Sequence, residues 1–359
     1  MDKKENKNNI SFMWLRFIPV LVVITILVSI LSAGPFSKER ATTYKNHYNP
    51  AYDFTLEPEN KIDIVCIGSS NMFTAFSPAY IYENYGYTAC DIGMSYQTPV
   101  RSYSFLTEFL KTQSPKILIL DTDMLYDQFP TEEGIEEIDA KGEKNTYEVL
   151  REKQETLFSG ISDARFTDII GSNFSMFQLN DHWKHWRDFL PKAFISSYTD
   201  EVDYPCEHGF KYRDEVVVAK KSKLFTETEK LEEIDYEYRI YYQKIIDLCK
   251  EKGIEVWLVE MPTVRSWSTQ RHNAVDVIAA ENNIEFIDFN YLYKDIKLNL
   301  KKDFFDGKNH LNYRGAKKVS KYLGEKLTAE GMLTDHRGDE EYAFFEESVT
   351  AFKTKYGIK

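Results

Sequence analysis

The chain is short of positive charge. Its 359 residues carry 45 Lys and Arg against 57 Asp and Glu, a formal net charge of −12. A surface of that sign repels phosphate backbones, which argues against nucleic acid as a partner. Metal-site spacing is also missing. The four cysteines, Cys66, Cys90, Cys206 and Cys249, form no CxxC pair, so they do not read as a zinc framework. Cys66 falls in an expected core strand and Cys249 on an apolar helix face, where thiols serve as small buried hydrophobes. Asp121 and Asp123 pair two carboxylates without a nearby histidine, and a strand-end turn explains them as well. His182 and His185 stand at i, i+3 but lack a third ligand, and their aromatic neighbours favour packing. Neither a metal nor an organic cofactor is expected. There is no internal repeat.

Charge is absent altogether from residues 17–33, and residues 12–33 are apolar but for Arg16. Such a run is about long enough to cross a hydrocarbon core. Lys3, Lys4, Lys7 and Arg16 precede it, which favours the short tail inside and the bulk of the chain outside. Lys38, Arg40 and Lys45 follow it and weaken that bias. A cleaved signal peptide is the alternative, although the run is long for one and Leu31-Ser-Ala33 is a poor cleavage site. The expected organisation is a cytoplasmic tail (1–9), a transmembrane anchor (10–33), a linker (34–60), one main domain (61–330) and a C-terminal helical tail (331–359).

Within the main domain, short apolar runs alternate with helical patterns. The runs are 62–67, 87–92, 117–120, 254–259 and 284–287, most of them bounded by glycine, proline or acids. Runs apolar on both faces suit a buried parallel sheet. Ile234, Tyr238, Tyr241, Ile245 and Leu248 form a stripe at helical spacing, stopped by Gly253. Ala274, Val277 and Ile278 mark a second helix, and Ala316, Val319, Leu323 and Leu327 a third. The fold class is α/β, a doubly wound parallel sheet of about five strands. Residues 128–218 lack strand punctuation and read as a mainly helical insertion over the active edge. Phe345, Val349 and Phe352 share one helical face, so the tail should pack back.

The chemistry sits in two places. Ile67-Gly-Ser-Ser-Asn71 puts two serines on a glycine turn after the first strand. Asp303-Phe-Phe-Asp-Gly-Lys-Asn-His-Leu-Asn-Tyr-Arg-Gly315 puts an acid, Asp306, and a base, His310, on one loop before a helix. A serine hydroxyl is a poor nucleophile until a base takes its proton, and a carboxylate can orient that base. Helix capping by Ser69 and Ser70 is the plain alternative. Gly93, after the second strand, could add a backbone donor for an oxyanion or simply make a turn.

Together these pieces resemble the SGNH/GDSL hydrolase superfamily, in particular its membrane-anchored cell-surface branch, which includes D-alanyl-transfer and O-acyltransferase-associated proteins. The resemblance implies a flavodoxin-like core over roughly 61–327. It implies Ser70 as nucleophile, His310 as base, Asp306 as orienting acid, and Ser70 and Gly93 as oxyanion donors. Three departures stand out. Ser69 replaces the usual Asp of the first motif. The Asp306–His310 spacing has one extra residue. The oxyanion asparagine is missing, with Asp123 near its place, so either Asp123 stays protonated or another group, Gln97 or Asn71, donates instead. The expected function is a serine esterase or O-acyltransferase acting on O-acyl groups, acetyl first, of a surface glycan or cell-wall polymer. Its expected partners are that polymer, the lipid bilayer and a membrane-bound O-acyltransferase. The alternative is a weak or inactive accessory protein that binds a glycan or the acyltransferase.

Overall fold

The computed structural model describes residues 17–33, 54, 57–93, 96–126, 206–220 and 225–358. The N-terminal apolar run forms helix α1, Ile18–Ala33, of 16 residues. At 1.5 Å per residue that is about 24 Å, less than a hydrocarbon core of about 30 Å. Among the described residues no helix is long and apolar enough to cross a membrane. Residues 10–16 and the linker to residue 53 lie outside the described set.

The main unit is built on five parallel strands. They are β1 (Ile64–Gly68), β2 (Ala89–Gly93), β3 (Ile117–Asp121), β4 (Glu255–Glu260) and β5 (Glu285–Asp288). Their order across the sheet is β2-β1-β3-β4-β5. Each lies within two residues of its apolar run in the sequence. The run predicts the strand because both faces are covered. Ile64, Cys66, Ile119, Trp257, Val259 and Ile287 join one core cluster with Met72, Val319, Leu323 and Leu327. Those partners come from α2 (Ser70–Ala75) and α7 (Tyr313–Glu330), with α3 (Pro78–Tyr85) packed beside them. Two other helices, α4 (Pro99–Phe109) and α5 (Tyr236–Lys252), pack on each other and on β1 and β4. Helix α6 (Thr269–Asn282) lies against β5.

Strand order reverses between β1 and β3. In an open parallel sheet the carboxyl ends of those two strands diverge there and leave a crevice. The turns carrying Ser69–Ser70 and Asp121–Asp123 both open into that place.

The expected mainly helical insertion over 128–218 meets described residues only at its end, because residues 127–205 lie outside the described set. Residues 206–220 contain no helix. After a turn they run as an extended strap. The Asp91 amide donates to the His208 carbonyl, the Lys211 amide to Phe73, the Val217 amide to Phe304 and the Ala219 amide to Leu300. Pairing with Asp91 covers part of the β2 edge, where open backbone groups would otherwise be exposed. Gln128 to Pro205, including His182 and His185, lie outside the described residues. The C-terminal tail packs back as a helix, as its apolar face implied, and is part of the main compact unit. Helix α8 (Ala343–Tyr356) buries Phe345 against the His208 and Tyr82 rings and Phe352 against Phe210 and Tyr212. His208 is itself buried and paired with Glu57 at 2.7 Å. The four cysteines are buried.

One buried acid has no obvious structural use. Asp91 sits opposite Cys66 in the β1–β2 register, and neither carboxylate oxygen has a hydrogen-bond partner. Burial pushes its pKa well above 3.8, and the nearby Cys66 thiol, a weak donor, opposes this only slightly,. The fold therefore favours the neutral form. Wild-type stability should fall as pH rises above the unfolded value of 3.8, by roughly 1.4 kcal/mol per unit until the folded pKa is reached. Asp91→Asn lacks that slope. Urea titrations should show the variant gaining on wild type as pH rises above the unfolded value, whereas a constant difference would show that Asp91 ionises in the fold without penalty.

Candidate active site

The Gly68-Ser69-Ser70 turn is set by close packing at the end of β1. A Cβ on Gly68 would stand 2.4 Å from the Asp121 Cβ and 2.8 Å from the Met72 Cβ. No side chain fits there, so β1 and β3 can approach closely. The Ser69 amide then donates to an Asp121 carboxylate oxygen at 2.8 Å. That bond ties the turn to the neighbouring strand. The Ser69 side chain makes no cap hydrogen bond to α2, so capping does not account for the serine pair. Ser70 is the first residue of α2, where an amide N–H has no intrahelical acceptor.

The His310 loop is a short hairpin closed at its base. Phe304 and Leu311 form an antiparallel bridge, and the Asn312 amide donates to the Asp303 carbonyl. The Asn312 side chain caps α7 by accepting from the Gly315 amide, and its Nδ2 donates to the Lys302 and Glu215 carbonyls. Asp303 is fully buried, and accepts from Arg314 Nε at 3.0 Å, Lys318 Nζ at 2.6 Å and the Asn299 amide at 2.6 Å. The tip turns at Gly307, whose φ of +67° is left-handed and suits glycine. That turn absorbs the extra residue between Asp306 and His310.

Ser70 and His310, 240 residues apart in sequence, meet here. Ser70 Oγ lies 2.8 Å from His310 Nε2. His310 Nδ1 lies 2.7 Å from Asp306 Oδ2. With Nδ1–H donated to the carboxylate, Nε2 is left as the acceptor for the serine proton. Asp306 also accepts from the Lys308, Asn309 and His310 amides. Burial works to raise its pKa, but the His310 hydrogen bond and charge and the amides outweigh it and bring it to about 2. The carboxylate is thus charged at any ordinary pH. Phe305 stacks on the His310 ring, with centroids 5.4 Å apart.

The chain matches no protein-family model. No curated protein matches it either.

The expected oxyanion groups separate. Gly93 stands opposite Gly68 in the β1–β2 register. A Cβ on it would meet the Gly68 carbonyl at 2.8 Å and the Phe73 ring at 3.0 Å, so its backbone lies directly beside the nucleophile turn. Gln97 does not serve. It is buried, and its amide nitrogen is committed to the Ser102 hydroxyl at 3.0 Å and the Ile92 carbonyl at 3.4 Å. Asn71 donates from Nδ2 to Asp123 Oδ2 at 2.6 Å. The two residues weighed separately for the oxyanion are therefore bonded to each other.

Asp123 belongs to a buried acidic group that the sequence does not reveal. Asp121 and Glu260 are fully buried and Asp123 nearly so. Burial raises the pKa of Asp121, and the Asp123 charge adds to it. Asp123 is raised by burial, opposed by Arg271, by His310 and by a hydrogen bond from Ser266. Glu260 is raised strongly by burial and then by the neighbouring acids. Thr122 Oγ1 donates to one Glu260 oxygen at 2.6 Å. The common cause is desolvation, which drives crowded carboxyls toward the neutral form. The same desolvation acts on Asp123, where Arg271, His310 and Ser266 oppose it. Among the described residues no group of three or more His, Cys, Asp or Glu could hold a metal ion.

Asp306 yields a test that needs no substrate. Its folded pKa of about 2 lies below its unfolded value of 3.8. It therefore adds stability above the unfolded value and loses it as pH falls through the folded one. Asp306→Asn should cost roughly 2 kcal/mol near neutral pH. Chemical denaturation should show that gap closing between about pH 4 and pH 2. An equal gap at both ends would mean that the His310 contact contributes nothing electrostatic.

Proposed function

We propose that this protein is a serine esterase or O-acyltransferase of the SGNH type, acting on O-acyl groups of a cell-surface polymer. The observation that carries the reading is the unbroken chain Ser70 Oγ to His310 Nε2 to Asp306, at 2.8 and 2.7 Å. Helix capping and loop packing do not require a serine and a histidine to meet at that distance across 240 residues.

In this reading Ser70 Oγ attacks the ester carbonyl carbon as His310 Nε2 takes its proton. Asp306 holds the ring by Nδ1 and stabilises the imidazolium that forms. The carbonyl oxygen gains negative charge and is met by the backbone N–H groups of Ser70 and Gly93. The bond to the leaving alcohol then breaks, and His310 returns its proton to that oxygen. The acyl-serine is resolved by a second hydroxyl, from water in an esterase or from a sugar in a transferase. The Ser70 and His310 side chains do this without a metal or organic cofactor. The N-terminal apolar run and its preceding lysines support an anchor, with the main domain on the outer side.

A second reading is supported by one observation. The Gln97 and Asn71 amides, the side-chain donors nearest the site in sequence, are both engaged elsewhere. An oxyanion site with backbone donors alone suits a weak enzyme or an accessory protein that binds a glycan or a membrane acyltransferase.

A fluorophosphonate probe and 4-nitrophenyl acetate separate the two. The full-length protein should be labelled and should hydrolyse the ester. Ser70→Ala and His310→Ala should each lower kcat by about a thousandfold or more. Wild type as inert as the folded variants would favour the accessory reading.

A further inference from the structure

The strap beside the site carries a charge pattern that the esterase reading leaves unused. Phe210-Lys211-Tyr212-Arg213 is extended, so alternate residues face opposite ways. Phe210 and Tyr212 face the C-terminal helix and α7, where their rings meet Phe352, Tyr313 and Tyr356. Lys211 and Arg213 face the other way. Lys211 Nζ stands over the Phe73 ring at 5.9 Å. Phe73 lies on α2 three residues after Ser70, and its ring approaches Gly93. The Arg213 guanidinium stands over the Phe305 ring at 5.4 Å, and that ring stacks on His310. Each cation is therefore one aromatic ring away from a reacting or oxyanion-binding group. The strap is held in place at both points by backbone bonds, from the Lys211 amide to Phe73 and from the Tyr313 amide to the Arg213 carbonyl.

Among the described residues neither cation is fully satisfied. Lys211 makes no hydrogen bond or ion pair there from its ammonium. By contrast Lys116, Lys318, Lys326 and Lys353 each reach a carboxylate. Arg213 has one carboxylate in range, Glu215 at 3.8 Å on an exposed side chain, and its Nε is buried without an acceptor. Asp306, the nearest functional acid, is occupied by His310. The Lys211 side chain is open to solvent, yet enough protein surrounds it that lost hydration, and then the Arg213 charge, lowers its pKa. Two cations are held two residues apart on one strap in a chain of net charge −12. That arrangement lacks an anion.

We propose that Lys211 and Arg213 form an anion-binding subsite next to the Ser70–His310 pair, so that the ester this site takes carries a phosphate or carboxylate close to its acyl group. The ester part of the inference rests on the esterase reading, and the anionic part rests on the two cations alone. Paired Lys and Arg bind such groups through charge-assisted hydrogen bonds.

The test has a binding arm and a turnover arm, both on the full-length protein. Inorganic phosphate, titrated calorimetrically at low salt, should bind wild type and Ser70→Ala alike. Lys211→Gln/Arg213→Gln should bind it roughly tenfold more weakly or worse, and Lys211→Arg/Arg213→Lys should retain most of the affinity. In the turnover arm, kcat/KM is measured for 4-acetoxyphenyl phosphate, 4-acetoxybenzoate and neutral 4-nitrophenyl acetate. The anionic-to-neutral ratio should fall about tenfold in the double Gln variant, and whichever anionic ester loses more identifies the charged group. Phosphate affinity unchanged in the double Gln variant, or a ratio that does not move, overturns the subsite even if every ester is hydrolysed. Phosphate binding lost in that variant, with no ester turned over by wild type, keeps the subsite and removes the esterase reading instead.

Discussion

The hydrogen bond from the Ser69 amide to the Asp121 carboxylate determines where Ser70 sits. It joins the ends of β1 and β3 at the point where strand order reverses, and it requires the bare Cα of Gly68 between them. Once that contact is made, α2 starts at Ser70 and its hydroxyl faces the crevice. The α7 hairpin must then bring His310 to the same place. It does so through a buried carboxylate, Asp303, held by Arg314, Lys318 and the Asn299 amide. Removing one partner from a buried charged network costs far more than any surface ion pair. The loop is therefore rigid because of residues that never face the site.

The electrostatics at the strand ends are divided. Asp306 is held charged by amides and by the imidazole. Asp121, Asp123 and Glu260, a few residues away in the fold, are pushed toward neutrality by loss of water and by one another. One carboxylate is thus held charged beside His310 while the buried group nearby is driven away from charge. The cations of the strap lie on the opposite side, beyond the rings of Phe73 and Phe305.

The strands were legible because burial on both faces leaves an unbroken apolar run, and each run ends where a turn residue interrupts it. The helix bearing Tyr241, Ile245 and Cys249 was legible for the same reason at a different period, and its stop at Gly253 has the expected left-handed backbone. The segment from Cys206 to Lys220, at the end of the expected insertion, contains no helix. Its alternation of ring and cation between Phe210 and Arg213 has the period of extended chain, and that signal is only four residues long. The pairs His208–Glu57 and His336–Asp63, each 2.7 Å apart, gave no local signal. Their members are 151 and 273 residues apart, and each histidine is stacked on an aromatic ring of the C-terminal segment, Phe345 or Tyr342.

Sequence alone determined the alternating order of strands and helices, the glycine turn that presents Ser70, and the loop that pairs Asp306 with His310. These are local properties, written in runs and spacings of a few residues. Only the tertiary structure decided that Ser70 and His310 are hydrogen-bonded, that Gln97 is committed elsewhere and that Asn71 is tied to Asp123. It also decided that Asp121, Asp123 and Glu260 are buried together and that Lys211 and Arg213 stand beside the site with only Glu215, 3.8 Å from Arg213, in reach among the described residues. Contacts between residues distant in the chain depend on how layers pack, and desolvation depends on what surrounds a group on every side. Neither quantity is carried by the neighbours of a residue in sequence.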